Sequence, residues 1–209
     1  VYPYPRFAKN DTRRAGTIGG FSEYILIPKA KKYHSLYPVD DRIPDKTACL
    51  IEPFTVGCRA ARRGMIPCGK GEYVKGQSAV VFGGGTIGIA AAVAFKYFGM
   101  DKVMICDRSE VRLEIARKLG FAVCNNLKEN FEKCAVDYFG TASSLGGMTA
   151  DIDCMLDAAG AESILDDFLR LGKIESRFVS VAVNNAPRKI DLLHMTYAQQ
   201  SIIGSGGYM

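Results

Sequence analysis

The sequence predicts an α/β protein built on a doubly wound parallel sheet of strand order 3-2-1-4-5-6. Three observations carry that expectation. From Gly71 onward, short apolar runs alternate with helix-length segments over roughly 130 residues. The first run, Ser78 to Phe82, passes directly into the glycine string Gly83-Gly-Gly-Thr-Ile-Gly88 and then into an apolar helix. The chain is 48% hydrophobic and 23% charged, enough to cover both faces of a buried sheet.

The elements follow in order. Residues 1–20 read as loop, with Pro3, Pro5 and the charged run Lys9 to Arg14. Phe21 to Ile27 is β-branched and aromatic and is closed by Pro28, which predicts a strand. Residues 29–44 read as short extended pieces and turns. Asp45 caps an apolar run ending at Glu52-Pro53, and a helix continues from Thr55 to Arg63, ended by Gly64. In the alternating part the first strand is 78–82, with its helix running to about Phe98. The second strand is 102–106, with a helix over 110–119 capped by Ser109 and stopped by Gly120. The third strand is 121–124, followed by a helix over 127–138. A Gly/Ser/Thr loop over 140–150 precedes the fourth strand, 152–156. A helix over 162–171, a fifth strand at 177–183 and a sixth at 201–203 complete the pattern.

Composition excludes several classes. The 27 basic and 22 acidic side chains give a formal net charge of +5, scattered rather than clustered, so no nucleic-acid partner is expected. No apolar run reaches the roughly 18–20 residues of a membrane helix. The longest, Ile87 to Phe98, is interrupted by Lys96. Residues 1–6 lack the apolar core of a signal peptide, and the expected location is the cytoplasm. The seven cysteines have no C-x-x-C pair, which predicts reduced thiols and excludes a sequence-local zinc knuckle. His34 and His194 stand alone and read as surface or packing residues. The chain begins with Val, which fits a processed product or a piece of a longer chain.

Gly83, Gly85 and Gly88 form G-x-G-x-x-G between a strand and a helix, and Asp107 closes the next strand. Gly83 permits the tight turn. Gly85 lets a pyrophosphate approach the backbone. Gly88 lets the helix pack on the sheet. The N–H groups of Thr86, Ile87 and Gly88 then face the phosphates at the positive helix end. Asp107 can accept hydrogen bonds from the adenosine ribose and would repel a 2′-phosphate, which favours NAD over NADP; Arg108 argues mildly the other way. The competing reading is a glycine turn with a capping Asp. Glu52-Pro53 places a carboxylate near an expected domain cleft; its competing reading is an ordinary surface Glu.

Ile51-Glu-Pro-Phe-Thr-Val-Gly57, Arg59-Ala-Ala-Arg-Arg-Gly64 and the glycine string together resemble the zinc-dependent medium-chain dehydrogenases, nearest the polyol (sorbitol-like) and threonine members. The 19–28 and 202–208 segments resemble the same family. The resemblance implies a Rossmann domain at 58–209, preceded at 1–57 by the end of a GroES-like catalytic domain. It implies that Glu52 stands beside a catalytic zinc, as a direct ligand or as partner of the zinc-bound water. It implies that Val56 contacts the nicotinamide and that Gly83, Gly85, Thr86, Ile87, Gly88 and Asp107 form the cofactor loop and ribose acid. Arg112 matches a basic residue flanking the adenosine end; Ala159, Gly160, Val181 and Val183 match the strand ends that wall the nicotinamide half. Zinc polarises the alcohol oxygen in that family while hydride passes from a secondary alcohol to NAD.

The family's upstream Cys, its His-Glu pair and its four-cysteine structural zinc lobe are not found before Glu52, where only His34 and Cys49 occur. The expectation is therefore part of a two-domain enzyme of roughly 350 residues. The isolated chain is expected to be inactive, with catalytic zinc bound only in the complete enzyme. The alternatives are a zinc-independent quinone or enone reductase, which Asp107 opposes, and a non-catalytic dinucleotide-binding module. The apolar sixth strand, Ser201 to Gly204, would be an exposed edge in a monomer, so a homodimer or homotetramer is expected. Residues 1–50, as half a barrel, are expected to be poorly ordered or drawn into packing contacts.

Overall fold

The computed structural model describes residues 29–34, 36–184 and 187–207. The chain divides into two units, residues 1–48 and 49–209. In the first, the described residues hold an isolated parallel bridge between Lys32 and Leu36 and one short helix, α1 (Asp45–Ala48). The strand expected at 21–27 lies outside the described residues.

The second unit opens with α2 (Ile51–Gly64), followed by a small hairpin, β1 (Pro67–Gly69) and β2 (Glu72–Tyr73). The alternating part is β3 (Ser78–Phe82), α3 (Thr86–Tyr97), β4 (Lys102–Asp107), α4 (Glu110–Lys118), β5 (Ala122–Asn125) and α5 (Phe131–Phe139). A second hairpin, β6 (Thr141–Ser144) and β7 (Gly147–Ala150), leads to β8 (Cys154–Asp157), α6 (Glu162–Leu171), β9 (Arg177–Ser180), α7 (Leu192–Ala198) and β10 (Ser201–Gly204). Six strands form one sheet in the order β5-β4-β3-β8-β9-β10, every pair parallel. Numbered within that sheet the order is the expected 3-2-1-4-5-6, a doubly wound α/β fold.

The sheet is buried on both sides, and the period-2 alternation assigns each side chain to a face. On one face Ala79, Val81, Val103, Ile105, Leu156 and Val179 pack with Ala60, Ala91, Phe95 and Leu113 of α2, α3 and α4. On the other, Val80, Phe82, Met104, Met155 and Phe178 pack with Ala135, Phe139, Ile164 and Phe168 of α5 and α6. Below the sheet, Asp153 fastens the central β3–β8 pair. Its carboxylate accepts from the Ser78 N–H at 2.8 Å and pairs with Lys173 at 2.6 Å.

Some expected boundaries shift. The 140–150 loop is the β6–β7 hairpin, turned by Gly147 at φ +124°. The helix expected from 127 starts at Phe131, because Asn125 and Glu129 build a turn first and the Asn130 side chain then caps α5 through the Lys133 N–H. The fifth strand ends at Ser180 rather than Val183, where the Val181 and Ala182 N–H groups both turn to the Asp157 carbonyl. α2 begins at Ile51 and runs unbroken to Gly64, so the helix expected from Thr55 starts four residues earlier.

Gly57 sets the crossing of α2 over α3. A Cβ there would lie 2.7 Å from the Ile87 carbonyl oxygen and 2.8 Å from both the Ala90 Cβ and the Ala91 nitrogen. Helix propensity alone makes Gly→Ala stabilising by about 1 kcal/mol. In Gly57→Ala the overlap is expected to win, with a net loss of about 1–3 kcal/mol in denaturant unfolding. A stabilised variant would show that α2 is not seated on α3.

Candidate functional site

β3 leaves the sheet through Gly83, at φ +104°, whose N–H bonds the Cys106 carbonyl of β4 at 2.8 Å. A side chain at Gly83 would press on Ala158 at 3.0 Å. Gly88 faces back onto this turn: a Cβ there would fall well inside the radius of the Gly83 carbonyl oxygen and 3.3 Å from the Val81 Cγ1. The first turn of α3 therefore rests on the backbone of the β3 exit. At Gly85, the N-cap residue, a Cβ would meet nothing within 4 Å, and no side chain caps the helix there. The N–H groups of Thr86, Ile87 and Gly88 belong to the first turn, whose donors have no intrahelical acceptor. A glycine with open space before it, at a positive helix end, is a fit for a phosphate approaching the backbone.

Asp107 stands at the end of β4, with its side chain 7% exposed. Its Oδ2 accepts from the Gly84 N–H at 2.6 Å and its Oδ1 from the Ser109 N–H at 2.7 Å. Arg112, on α4, lies 3.6 Å from Oδ2. The carboxylate thus fixes the glycine turn and the start of α4. Each oxygen keeps a lone pair, because a carboxylate offers about four acceptor sites. Gly84 is the residue the sequence reading passed over. It lies in the glycine string, but its bond to Asp107 is visible only in three dimensions.

A crevice of about 220 Å³ opens over the strand ends, lined among others by Phe82, Gly83, Asp107, Arg108, Asn126 and Ala159. These residues come from the ends of β3 and β4 and from the turns after β5 and β8. The strand order reverses between β3 and β8, and α/β sheets bind ligands at such switch points. A larger apolar hollow, about 540 Å³, lies on the other side of the glycine turn between α2, α3 and α4, with Leu50, Phe54, Gly85, Ile89 and Arg112 in its wall.

Asp157 organises the second pair of predicted segments. Its Oδ1 accepts from the Ala159 N–H at 2.9 Å and the Gly160 N–H at 2.7 Å. Its carbonyl accepts from Val181 at 3.1 Å and Ala182 at 3.0 Å. Ala159, Gly160 and Val181 are thereby brought together around one buried residue. Val183 is not: it is 93% exposed. Burial pushes the Asp157 carboxyl above its ordinary range, against the two N–H groups that lower it.

Val56 is half-buried on α2, and Glu52 is exposed in that helix's first turn. Among the described residues, Glu52 belongs to no group of three candidate metal ligands. Among the described residues, Glu52 thus lacks the companion donors that a catalytic zinc needs.

A carboxyl that binds its proton more tightly when folded stabilises the fold fully below its ordinary value near 3.8. That contribution is lost as pH rises through the raised value. Asp157→Asn keeps an acceptor for both N–H groups without a buried charge. It is expected to unfold no more easily than the parent at pH 7 and to lack this pH dependence in thermal melts. Asp157→Ala leaves two donors unpaired and is expected to cost about 1–3 kcal/mol.

Residues 86–209 match the family model described as "Zinc-binding dehydrogenase". Among relatives, (R,R)-butanediol dehydrogenase of Saccharomyces cerevisiae is 27% identical over 192 residues, covering 91% of this chain and 46% of the relative. L-threonine 3-dehydrogenase of Aeromonas salmonicida is 31% identical over 151 residues, covering 72% and 39%. A solved structure of an Escherichia coli CFT073 alcohol dehydrogenase with NADH superposes with a TM-score of 0.67 at 22% identity, covering 82% of this chain and 47% of that one, which bears on the fold. The chain spans less than half the length of these relatives. With the family model matching more than half of its residues, the chain belongs to the zinc-binding dehydrogenase family.

Proposed function

We propose that the chain is the NAD-binding part of an alcohol or polyol dehydrogenase that transfers hydride from a secondary alcohol to NAD. One observation carries this reading: a glycine turn open at Gly85, locked through Gly84 to a strand-end carboxylate, at the switch point of the sheet. The Gly85 backbone and the Thr86, Ile87 and Gly88 N–H groups take the pyrophosphate. Asp107 takes the adenosine ribose hydroxyls with the lone pairs its backbone donors leave free, and Arg112 flanks it. Ala159, Gly160, Val181 and Val183 wall the nicotinamide half, and Val56 of α2 contacts the nicotinamide. NAD, when bound, accepts the hydride at its nicotinamide ring. Glu52 serves a zinc in the complete enzyme, with companion ligands that are not found among the described residues of this chain.

The names of the relatives support the substrate class, and a neighbour solved with NADH supports the cofactor. Asp107 opposes NADP, since its charge would face a 2′-phosphate, and so opposes the quinone or enone reductase alternative. In the same proposal residues 1–57 close a GroES-like catalytic domain and 58–209 form the Rossmann domain of a cytoplasmic enzyme. Among the described residues no helix is long and apolar enough to cross a membrane. β10 lies at the sheet edge with Ile202 and Ile203 half-buried. An apolar edge of this kind invites a strand from a second copy, which gives a homodimer or, by further pairing, a homotetramer.

Fluorescence titration of the 209-residue chain is expected to show NADH binding at least about tenfold tighter than NADPH, roughly 1.4 kcal/mol. Gly85→Val fills the open approach with a side chain whose Cβ has no protein atom within 4 Å. It is expected to abolish NADH binding while melting within a few degrees of the parent. Equal or tighter NADPH binding would overturn the cofactor assignment, and a Gly85→Val chain that still binds NADH would remove the glycine turn from the site. Light scattering at micromolar concentration is expected to give a dimer or larger species; a monomer contradicts the edge pairing.

A further inference from the structure

Three potential metal donors converge where β5 leads into α5. Cys124 lies within β5, Glu129 in the turn that follows it, and Cys134 in α5. The two Sγ atoms and a Glu129 carboxylate oxygen all lie within 4.8 Å of one another. We propose that Cys124, Glu129 and Cys134 bind a thiophilic divalent ion, zinc by preference, at a site distinct from any metal at Glu52.

Local structure holds the donors in place. The Asn125 carbonyl accepts from the Lys128 and Glu129 N–H groups at 2.9 and 2.8 Å, which closes the turn. Glu129 returns a bond: its Oε2 accepts from the Asn125 N–H at 2.8 Å. That leaves Oε1 directed at the Cys134 Sγ, 3.9 Å away. Cys134 is carried by the start of α5, which the Asn130 side chain caps. Cys124 is fully buried, Cys134 half-buried and Glu129 exposed, so an ion enters from the solvent side past the carboxylate.

The donor set selects the ion. Two thiolates and one carboxylate suit zinc and cadmium and disfavour magnesium and calcium, which take oxygen. Around tetrahedral zinc, with Zn–S of about 2.3 Å and Zn–O of about 2.0–2.2 Å, neighbouring donors stand about 3.5–3.8 Å apart. Closing from within 4.8 Å asks for a rearrangement of about an ångström. Water fills the fourth position, since Cys106, the register partner of Cys124, falls outside the triad. Binding replaces two thiol protons with one ion and releases both protons to solvent. Without an ion these thiols stay neutral: the Cys106 thiol and burial push Cys124 up, and burial and Cys124 push Cys134 up to about 11.

Cadmium titration of the reduced 209-residue chain tests the site, read by thiolate-to-cadmium charge-transfer absorbance. One cadmium per chain is expected, displaced by zinc with loss of the band. Even outer-shell partners are worth roughly 10–100-fold in metal affinity; Cys134→Ser and Glu129→Gln should each weaken binding at least tenfold. Cys68→Ser, an exposed thiol elsewhere, should change nothing. Should Cys134→Ser fail to fold, Glu129→Gln, at an exposed position, decides. The proposal is overturned if the parent shows no band, if Glu129→Gln binds as tightly as the parent, or if Cys68→Ser removes the band. NADH titration is a separate readout, so failure here leaves the cofactor reading untouched.

Discussion

The structure depends on one close approach, the seating of Gly88 on the Gly83 carbonyl. No side chain fits between them, so the α3 axis is fixed relative to the β3 exit to within the thickness of a backbone. That placement aims the unbonded N–H groups of the first turn over the strand ends rather than out into solvent. It also lets Asp107 reach the Gly84 N–H from the neighbouring strand. α2 is positioned in turn, because Gly57 lies against the Ile87 carbonyl and Ala91. Two glycine contacts thus carry position from the sheet to α3 and from α3 to α2, the helix that bears Glu52 and Val56.

Two strand-end carboxylates do the remaining work of shape, and their surroundings treat them differently. Asp107 divides its oxygens between Gly84 and Ser109 and has the Arg112 guanidinium 3.6 Å away, at the rim of the crevice. Asp157 is buried and holds the turn to Gly160 with a single oxygen. It shapes the site from behind. Both acids close a strand in the sequence, yet one lines the crevice and the other is turned into the protein.

What was legible in the sequence was what is local. The glycine string, its strand and its helix are contiguous, and strands buried on both faces leave unbroken apolar runs such as Ala79 to Phe82. The elements that went unread lack that imprint. α7 exposes Leu192, Leu193 and Tyr197, so its apolar residues mark no core-facing stripe. The β6–β7 hairpin is built from Ser, Thr and Gly and reads as loop until Gly147 turns it. Gly84, Asp157 and the Cys124–Glu129–Cys134 group act through partners that no spacing rule brings together. One donor of that group is a carboxylate and its thiols are ten positions apart, so the cysteine pattern alone argued against a metal.

The two ends of the proposed cofactor are unequally provided for within this chain. The pyrophosphate and adenosine end is met by groups that already hold one another: Gly83 on Gly88, Gly84 on Asp107, Asp107 on Ser109. Those groups lose little freedom when a ligand arrives, which is the condition for binding energy to appear as affinity. The proposed nicotinamide end is a turn held by Asp157 from behind and by the exposed Asn184 amide on the Gly160 carbonyl, with Val183 out in solvent and Glu52 without companion ligands among the described residues. On the proposed reading, affinity for the dinucleotide would reside in this unit, whereas placing the reacting carbon against an alcohol would require further surfaces at Val183 and Glu52. Binding and chemistry are separable on this fold because the interactions that fix the one end do not pass through the other.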